Sequence, residues 1–179
     1  EARVSNLRNA AYMHDVGMIG IPDSIVNKPT RLSEEEYAII RRHTLIGADI
    51  LKDITLIDHV ADVAHYHHER YDGTGYPEGL RDEEIPIEAR IVAVADSYDA
   101  MNSKRIYRDA LAKEAILCEF ENCSGTQFNP AIVDIFAKLL NEGKVEAALL
   151  PSESVKKPDN YETETTKFIS EVMNTMRSQ

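Results

Sequence analysis

Two adjacent histidines, His67 and His68, end a predicted helix and lead directly into a loop rich in glycine and proline. Neutral imidazole is the commonest metal ligand among protein side chains. Neighbouring residues on a helix point about 100° apart, so this pair can bind one ion together only near a helix end or across a wide site. Taken alone, the pair is more typical of a polar helix terminus than of a metal site, and the rest of the chain must decide between the two.

Three other segments carry residues of the same chemical kind. A helix predicted over 3–15 ends in a His-Asp pair, the next helix carries an inward-facing histidine, and an aspartate interrupts the apolar run 89–96. Burying an unpaired carboxylate is costly, and a metal ion is one of the few adequate partners. The candidate ligands are His14, Asp15, His43, His67, His68 and Asp96.

This set offers four imidazoles and two carboxylates, which is enough for two ions if one carboxylate bridges them. Nitrogen and oxygen ligands without thiolates suit iron, manganese, zinc or nickel and argue against a sulfur-bound structural zinc. For His43 alone, a hydrogen-bonded core histidine is the alternative interpretation. We interpret His59 and His65 as solvated or supporting histidines rather than ligands.

The remaining segments predict a helical domain. Ser33 begins a capping box at the start of the second helix, whose inner face carries Tyr37. Further helices are predicted over 57–69, 88–103, 111–123 and 130–141. Asn129 can cap the last of these helices, with Pro130 at its first position. We expect one domain over 1–150, and a linker with an amphipathic helix at 161–176 within 151–179. The apolar face of that helix would pack on the domain or on a second copy in a homodimer.

Composition excludes several classes of function. The net charge of −11 argues against general nucleic-acid binding, and the chain has no apolar run long enough to span a membrane. We therefore expect a cytoplasmic protein. Cys118 and Cys123 are not spaced with histidines in a metal-binding pattern.

The motifs together resemble the HD-GYP branch of the HD phosphohydrolase superfamily. The resemblance covers about residues 6–136, and the motifs follow the order of that family. It is carried by His14-Asp15-Val-Gly, His43, His67-His68-Glu69, Asp72-Gly-Thr-Gly75-Tyr76-Pro77 and Ala95-Asp96-Ser-Tyr-Asp99-Ala-Met.

The resemblance implies an all-α HD-domain bundle that binds two divalent ions and hydrolyses cyclic di-GMP to pGpG, with further cleavage to GMP left open. Iron or manganese is expected, with zinc, nickel or magnesium as alternatives. Asp15 would bridge the ions and Asp99 would handle protons. The substrate would contact Gly75, Tyr76, Pro77, Arg105 and Arg108. Family members also carry sensor or receiver domains upstream, and we expect one in the full protein.

Two departures from the family pattern matter. Met18 stands where the family usually has a lysine that reaches the scissile phosphate, so we expect slow turnover. The chain also has no histidine before His14 to help bind a third ion, so we expect at most two metals. The alternative function is a degenerate domain that binds nucleotide or a partner protein with little catalysis. A hydrolase of another phosphoester is a third option.

Overall fold

The structure is a computed structural model, and it describes residues 2–103 and 110–145. Within these ranges the regular structure is helical, and the only strand-like features are two isolated bridges. The predicted all-α fold is therefore confirmed. The α-helices are α1 (Ala2–Met13), α2 (Asp23–Val26), α3 (Glu34–Arg41), α4 (His43–Leu51), α5 (Val60–Tyr66), α6 (Ile87–Asn102), α7 (Lys113–Cys123) and α8 (Pro130–Asn141). Two short 3-10 turns cover Val16–Gly20 and Asp82–Glu84.

Helices α5 and α6 form the centre of the bundle. Helix α5 contacts α1, α4 and α6, and α6 also packs against α7 and α8. The far side of the core is aromatic: the ring of Phe136 lies 5.3 Å from that of Tyr98 and 4.5 Å from that of Phe120. All three side chains are fully buried, so α6 is held between an aromatic layer and α5.

Sequence signals at two helix starts are confirmed. Ser33 and Glu36 form the reciprocal capping box at the start of α3. The side chain of Asn129 accepts a hydrogen bond from the backbone N–H of Ile132, and Pro130 is the first residue of α8. Such caps satisfy backbone donors that the first turn of a helix leaves unpaired.

Other boundaries differ from the sequence prediction. The chain bends at Arg42, so the predicted second helix is divided into α3 and α4. Tyr37, expected on its inner face, is 41% exposed. The first helix ends at Met13, and the predicted helix over 57–69 is regular only from Val60 to Tyr66. Helix ends fray where tertiary contacts replace the regular hydrogen-bond ladder.

Some predictions fall outside the described residues. The amphipathic helix at 161–176, the linker before it, and the substrate residues Arg105 and Arg108 are among them. None of the helices described combines the length and the apolar character needed to cross a bilayer.

Candidate metal centre

Four helix ends or faces bring the candidate ligands together. His14 and Asp15 follow the last residue of α1, and His43 is the first residue of α4. His67 is the residue that caps the end of α5, and His68 follows it. The fourth contribution comes from α6, which carries Asp96 within its length. Residues separated by up to 82 positions therefore meet where three helices begin or end.

Gly17 allows the segment that carries His14 and Asp15 to lie close to α4. The 3-10 turn after Asp15 packs directly on α4, and a Cβ atom added at Gly17 would collide with the carbonyl oxygen of His43. It would also lie 2.5 Å from the backbone nitrogen of Gly47. Only glycine permits backbone contact this close, and this contact fixes the His-Asp pair beside His43.

Backbone carbonyls orient three of the imidazoles. Nδ1 of His14 lies 2.6 Å from the carbonyl oxygen of Ala11, and Nδ1 of His43 lies 2.7 Å from that of Ile40. Nδ1 of His67 lies 3.0 Å from the carbonyl oxygens of both Val63 and Ala64. A carbonyl can only accept, so each Nδ1 carries the proton. In the neutral ring each Nε2 then presents a lone pair, which is how metal-binding histidines are commonly fixed.

The two carboxylate oxygens of Asp15 face different histidines. Oδ1 lies 3.3 Å from Nε2 of His43 and 3.5 Å from Nε2 of His67, while Oδ2 lies 3.3 Å from Nε2 of His14. Oδ1 of Asp96 lies 3.8 Å from the same His14 nitrogen. Asp15 therefore stands between a histidine group on one side and a His14–Asp96 pair on the other, as a bridging carboxylate would.

The ionisation of these groups follows from burial and from their neighbours. Burial acts against a charged His14, but the hydrogen bond and negative charge of Asp15 outweigh it and raise the pKa of His14 to about 9. Burial acts against a charged Asp15 as well, yet its hydrogen bonds with His14 and His67 hold the pKa of this carboxyl well below its usual range. These two residues therefore form an ion pair at neutral pH when no metal is bound.

Two of the other three imidazoles, those of His43 and His68, stay neutral. Burial lowers the pKa of His43. Burial, together with repulsion from His67 and His43, lowers the pKa of His68 to about 3. Neutral imidazole is the form that binds metal, so these residues are ready to act as ligands across the physiological pH range.

The donor set fits divalent ions. Ligand atoms bound about 2.0–2.2 Å from one ion lie roughly 3–4 Å from each other. One ligand atom from each of Asp15, His43, His67 and His68 can be chosen so that all four lie within 4.8 Å of one another. Nε2 of His43 and Nε2 of His67 are 3.4 Å apart. A divalent ion between these two nitrogens could accept a lone pair from each.

A cavity of about 250 Å³ opens beside the cluster. Its walls include His67, His68 and Asp96, and also Gly75 and Tyr76 of the loop after α5. The ring of Tyr76 stacks on that of His68 with centroids 4.8 Å apart and planes inclined by 26°. Burial raises the pKa of the Tyr76 phenol, so it remains a neutral hydrogen-bond donor. This loop therefore forms one wall of a pocket that three of the candidate ligands, His67, His68 and Asp96, also line.

Glu69 holds that loop in place. Its carboxylate is buried and accepts hydrogen bonds from the backbone N–H groups of Glu78 at 2.7 Å, Gly79 at 3.0 Å and Leu80 at 3.1 Å. Gly75 allows the loop to fold back against Glu69, because a Cβ atom at position 75 would lie only 2.6 Å from the Cα of Glu69. The loop therefore turns tightly around a carboxylate at its own base.

The segment before α8 secures the other side of the loop. The backbone N–H groups of Tyr71 and Asp72 donate to the carbonyl oxygens of Gln127 and Thr126 at 3.2 and 2.8 Å. A side-chain hydrogen bond of 2.7 Å joins Arg70 Nη1 to Gln127 Oε1. The turn at 124–128 and the loop after α5 thus form one structural unit, although more than fifty residues separate them.

The other residues that were considered from sequence differ in how close they lie to the cavity. Asp99 is exposed, and it is not one of the described residues that line the cavity. Pro77 follows the lining residues without joining them. His59 pairs with Asp62 on the surface, and His65 lies 3.4 Å from Glu78. Asp96 is less buried than its apolar run suggests: its side chain is 39% exposed, because it faces the cavity.

Sequence reasoning missed several lining residues. Tyr37 and Arg41 of α3 line the cavity, where Arg41 lies over the ring of Tyr76, and their neighbours along the chain do not indicate this contact. No role is assigned to Glu69 from sequence alone. Its position directly after the histidine pair, in a segment that must turn back, was the available signal.

Comparison with known proteins agrees with this geometry. Residues 1–132 match the family model described as HD domain. A cyclic di-GMP phosphodiesterase from Thermotoga maritima is 46% identical over 144 residues, which are 79% of this chain and 39% of that protein. A 3'3'-cGAMP-specific phosphodiesterase from Vibrio cholerae is 38% identical over 153 residues, which are 84% of this chain and 29% of that protein.

A solved structure supports the fold alone. The crystal structure of a cyclic GMP-AMP specific phosphodiesterase from V. cholerae matches with a TM-score of 0.54 at 20% identity, over 80% of this chain and 40% of that one. The chain thus spans well under half the length of these relatives. Its helical fold, its His-Asp cluster and the family match over residues 1–132 show that the chain belongs to the HD domain family.

Proposed function

We propose that this chain is the catalytic part of a metal-dependent phosphodiesterase of the HD-GYP branch that hydrolyses cyclic di-GMP to pGpG and then to GMP. The observation that carries the proposal is the position of Asp15, one of whose oxygens faces His43 and His67 while the other faces His14, beside a cavity lined by His67, His68 and Asp96. Such a cluster suits a pair of divalent ions. Divalent ions supply Lewis acidity and activate water for attack on a phosphodiester.

Each group in the site has a proposed role. His14 and Asp96 would hold one ion, His43, His67 and His68 the other, and Asp15 both. Attack by water on phosphorus breaks the bond to the 3′ oxygen, which takes a proton and leaves a 5′ phosphate on the linear product. Gly75 and Tyr76 line the cavity where the substrate would lie.

Tyr76 would position the substrate. Its ring is fixed against His68, and its neutral hydroxyl can donate a hydrogen bond to a phosphate oxygen. Roles for Pro77, Arg105 and Arg108 in substrate binding, and for Asp99 in proton transfer, remain predictions from the family pattern. Iron or manganese is the proposed metal.

The names of the relatives support the substrate class. One is a cyclic di-GMP phosphodiesterase and another is specific for 3'3'-cGAMP, so both hydrolyse cyclic dinucleotides. A further relative from Xanthomonas campestris, 46% identical over 136 residues, is a cyclic di-GMP phosphodiesterase response regulator. We therefore place this chain in a longer signalling protein and choose cyclic di-GMP as its substrate.

Met18 favours one alternative function. A thioether cannot donate a charged hydrogen bond to phosphate, so the domain could bind a cyclic dinucleotide as a receptor with little turnover. The intact ligand cluster favours the enzyme, because a receptor without catalysis has no need to keep six potential metal ligands close together.

One experiment tests the proposal. The protein is loaded anaerobically with iron or manganese and incubated with cyclic di-GMP or 3'3'-cGAMP, and the products are separated by chromatography. We expect pGpG from cyclic di-GMP, and no product from the Asp15→Asn variant. Tight binding without product would favour the receptor, and failure to retain metal would refute the proposed chemistry.

A further inference from the structure

Arg41 occupies an unusual position on the cavity wall. It is the last residue of α3, and its guanidinium carbon lies 4.6 Å from the ring centroid of Tyr37 and 5.1 Å from that of Tyr76. It lines the same cavity as His67 and Asp96. The two aromatic rings limit where the guanidinium group can move, and one of them also stacks on His68.

Within the described part of the chain, the positive charge of Arg41 has no ion-pair partner. Two described cations line the cavity, Arg41 and Arg70. Arg70 is engaged, with hydrogen bonds to Thr74 and Gln127 and an ion pair with Asp72. The contacts of the Arg41 guanidinium among the described residues are the two tyrosine rings, and no carboxylate there pairs with it.

A guanidinium held by its face on aromatic rings keeps its N–H groups free at the edge. Those N–H groups form a fork that binds the two oxygens of a phosphate at once. The ionisable acids on the cavity wall, Glu69 and Asp96, would repel an anionic ligand. An unpaired arginine in the same wall supplies the compensating positive charge.

A cyclic dinucleotide brings two phosphodiesters, but only one can lie over the metal cluster during a given hydrolysis step. We propose that Arg41 binds the other phosphodiester, the one that is not being cleaved, and so holds the ring of the substrate in place. This inference rests on the proposed function, since it takes the cyclic dinucleotide as the ligand of the cavity. Arg41 is then a binding residue rather than a catalytic one.

Arg41 could instead serve only to stabilise the end of α3, and the neighbouring Arg42 provides a control for that role. A cation in the last turn of a helix complements the helix dipole, and Arg42 caps the same helix end as Arg41. Both residues are exposed, but Arg42 is not among the described residues that line the cavity. A role confined to the dipole would make the two arginines equivalent, whereas a phosphate contact would not.

The test compares Arg41→Gln, Arg41→Lys and Arg42→Gln. Binding of cyclic di-GMP to the metal-free protein is measured by calorimetry. Loss of one charge-assisted hydrogen-bonding partner should weaken binding roughly 10- to 100-fold in Arg41→Gln. We expect partial recovery in Arg41→Lys and no change in Arg42→Gln.

A second ligand identifies the group that Arg41 contacts. In this analogue of cyclic di-GMP, neutral methylphosphonates replace both phosphodiesters, so Arg41 has no charged phosphate group to contact. Arg41→Gln should not weaken binding of the analogue. Equal weakening for both ligands would show that Arg41 contacts a base, and would overturn the inference. Failure of the unsubstituted protein to bind either ligand, or an equal effect from Arg42→Gln, would do the same.

A hydrolysis assay distinguishes failure of this inference from failure of the proposed function. The metal-loaded protein is assayed with bis(p-nitrophenyl) phosphate, which carries a single phosphodiester and needs no second contact. Arg42→Gln should keep full activity on that substrate and on cyclic di-GMP, whereas Arg41→Gln should show a raised KM with little change in kcat on cyclic di-GMP. If the protein hydrolyses neither substrate while Arg41 still governs binding, the proposed function fails and the inference stands.

Discussion

Substitution of Glu69 by glutamine should release the loop that forms the cavity wall. The buried carboxylate accepts three backbone N–H groups, two through Oε1 and one through Oε2. Glutamine has nearly the same shape but only one oxygen. If that oxygen keeps Glu78 and Gly79, the new NH2 group points at the N–H of Leu80, and two donors face each other.

The expected loss of stability follows from the number of hydrogen bonds that are lost or weakened. One buried donor left without an acceptor costs about 1–3 kcal/mol, and the two remaining hydrogen bonds lose the strengthening that a charged acceptor gives. We expect the closed loop to be destabilised by about 2–4 kcal/mol. For a domain of this size that corresponds to a fall in Tm of roughly 5–15 °C if loop and bundle unfold together.

Two measurements check this expectation. Hydrogen exchange at the backbone amides of residues 78–80 reports the loop itself, and urea unfolding reports the whole domain. Glu78→Gln is the matched control: it removes the same charge from the same loop, but its side chain is 54% exposed, so its effect should stay within about 0.5 kcal/mol. Unchanged exchange at residues 78–80 in the Glu69 variant would refute the role assigned to this carboxylate.

Four further predictions concern the site. His67→Ala should lose about one metal ion per chain in elemental analysis, while His59→Ala, which changes a surface pair, should lose none; equal losses would contradict the ligand assignment. Met18→Lys should raise turnover of cyclic di-GMP by up to about 100- to 1,000-fold with unchanged metal content, because it adds a charged donor worth about 2–4 kcal/mol; no gain would favour the receptor. Gly17→Ala should lower stability by about 1–3 kcal/mol and weaken metal binding, because its Cβ collides with the backbone of α4, and normal melting with normal metal content would contradict this. Metal binding at neutral pH should release about one proton per chain from His14, whose pKa is about 9 without metal, so apparent affinity should rise with pH up to that value; calorimetry in buffers of different ionisation enthalpy would show it.

The parts of the fold that sequence predicted well have local causes. The capping box at Ser33 and the cap at Asn129 depend on residues three positions apart, and both are present. His43 was expected to face inward from its position on a helical stripe, and it is 2% exposed. Its neighbours along the chain carry that information because a helix repeats its faces regularly.

The parts that sequence did not predict depend on contacts between distant segments. Nothing near Arg41 indicates that it and Tyr37 line the cavity beside Tyr76 of the distant loop. The partners of Glu69 are backbone N–H groups, which every residue except proline possesses, so no residue type marks them. For the same reason, a glycine at position 17 indicates from sequence only the end of a helix, and not its close approach to α4.

The contact between the loop after α5 and the turn at 124–128 has a consequence for the order in which the chain is made. All six candidate metal ligands lie before residue 97, so a growing chain contains them well before it contains Thr126 and Gln127. The acceptors that secure the far side of the loop are therefore synthesised after the candidate ligands. During synthesis, the residues that could bind ions precede the residues that complete the pocket, and the cavity wall is complete only once the turn at 124–128 has docked on the loop.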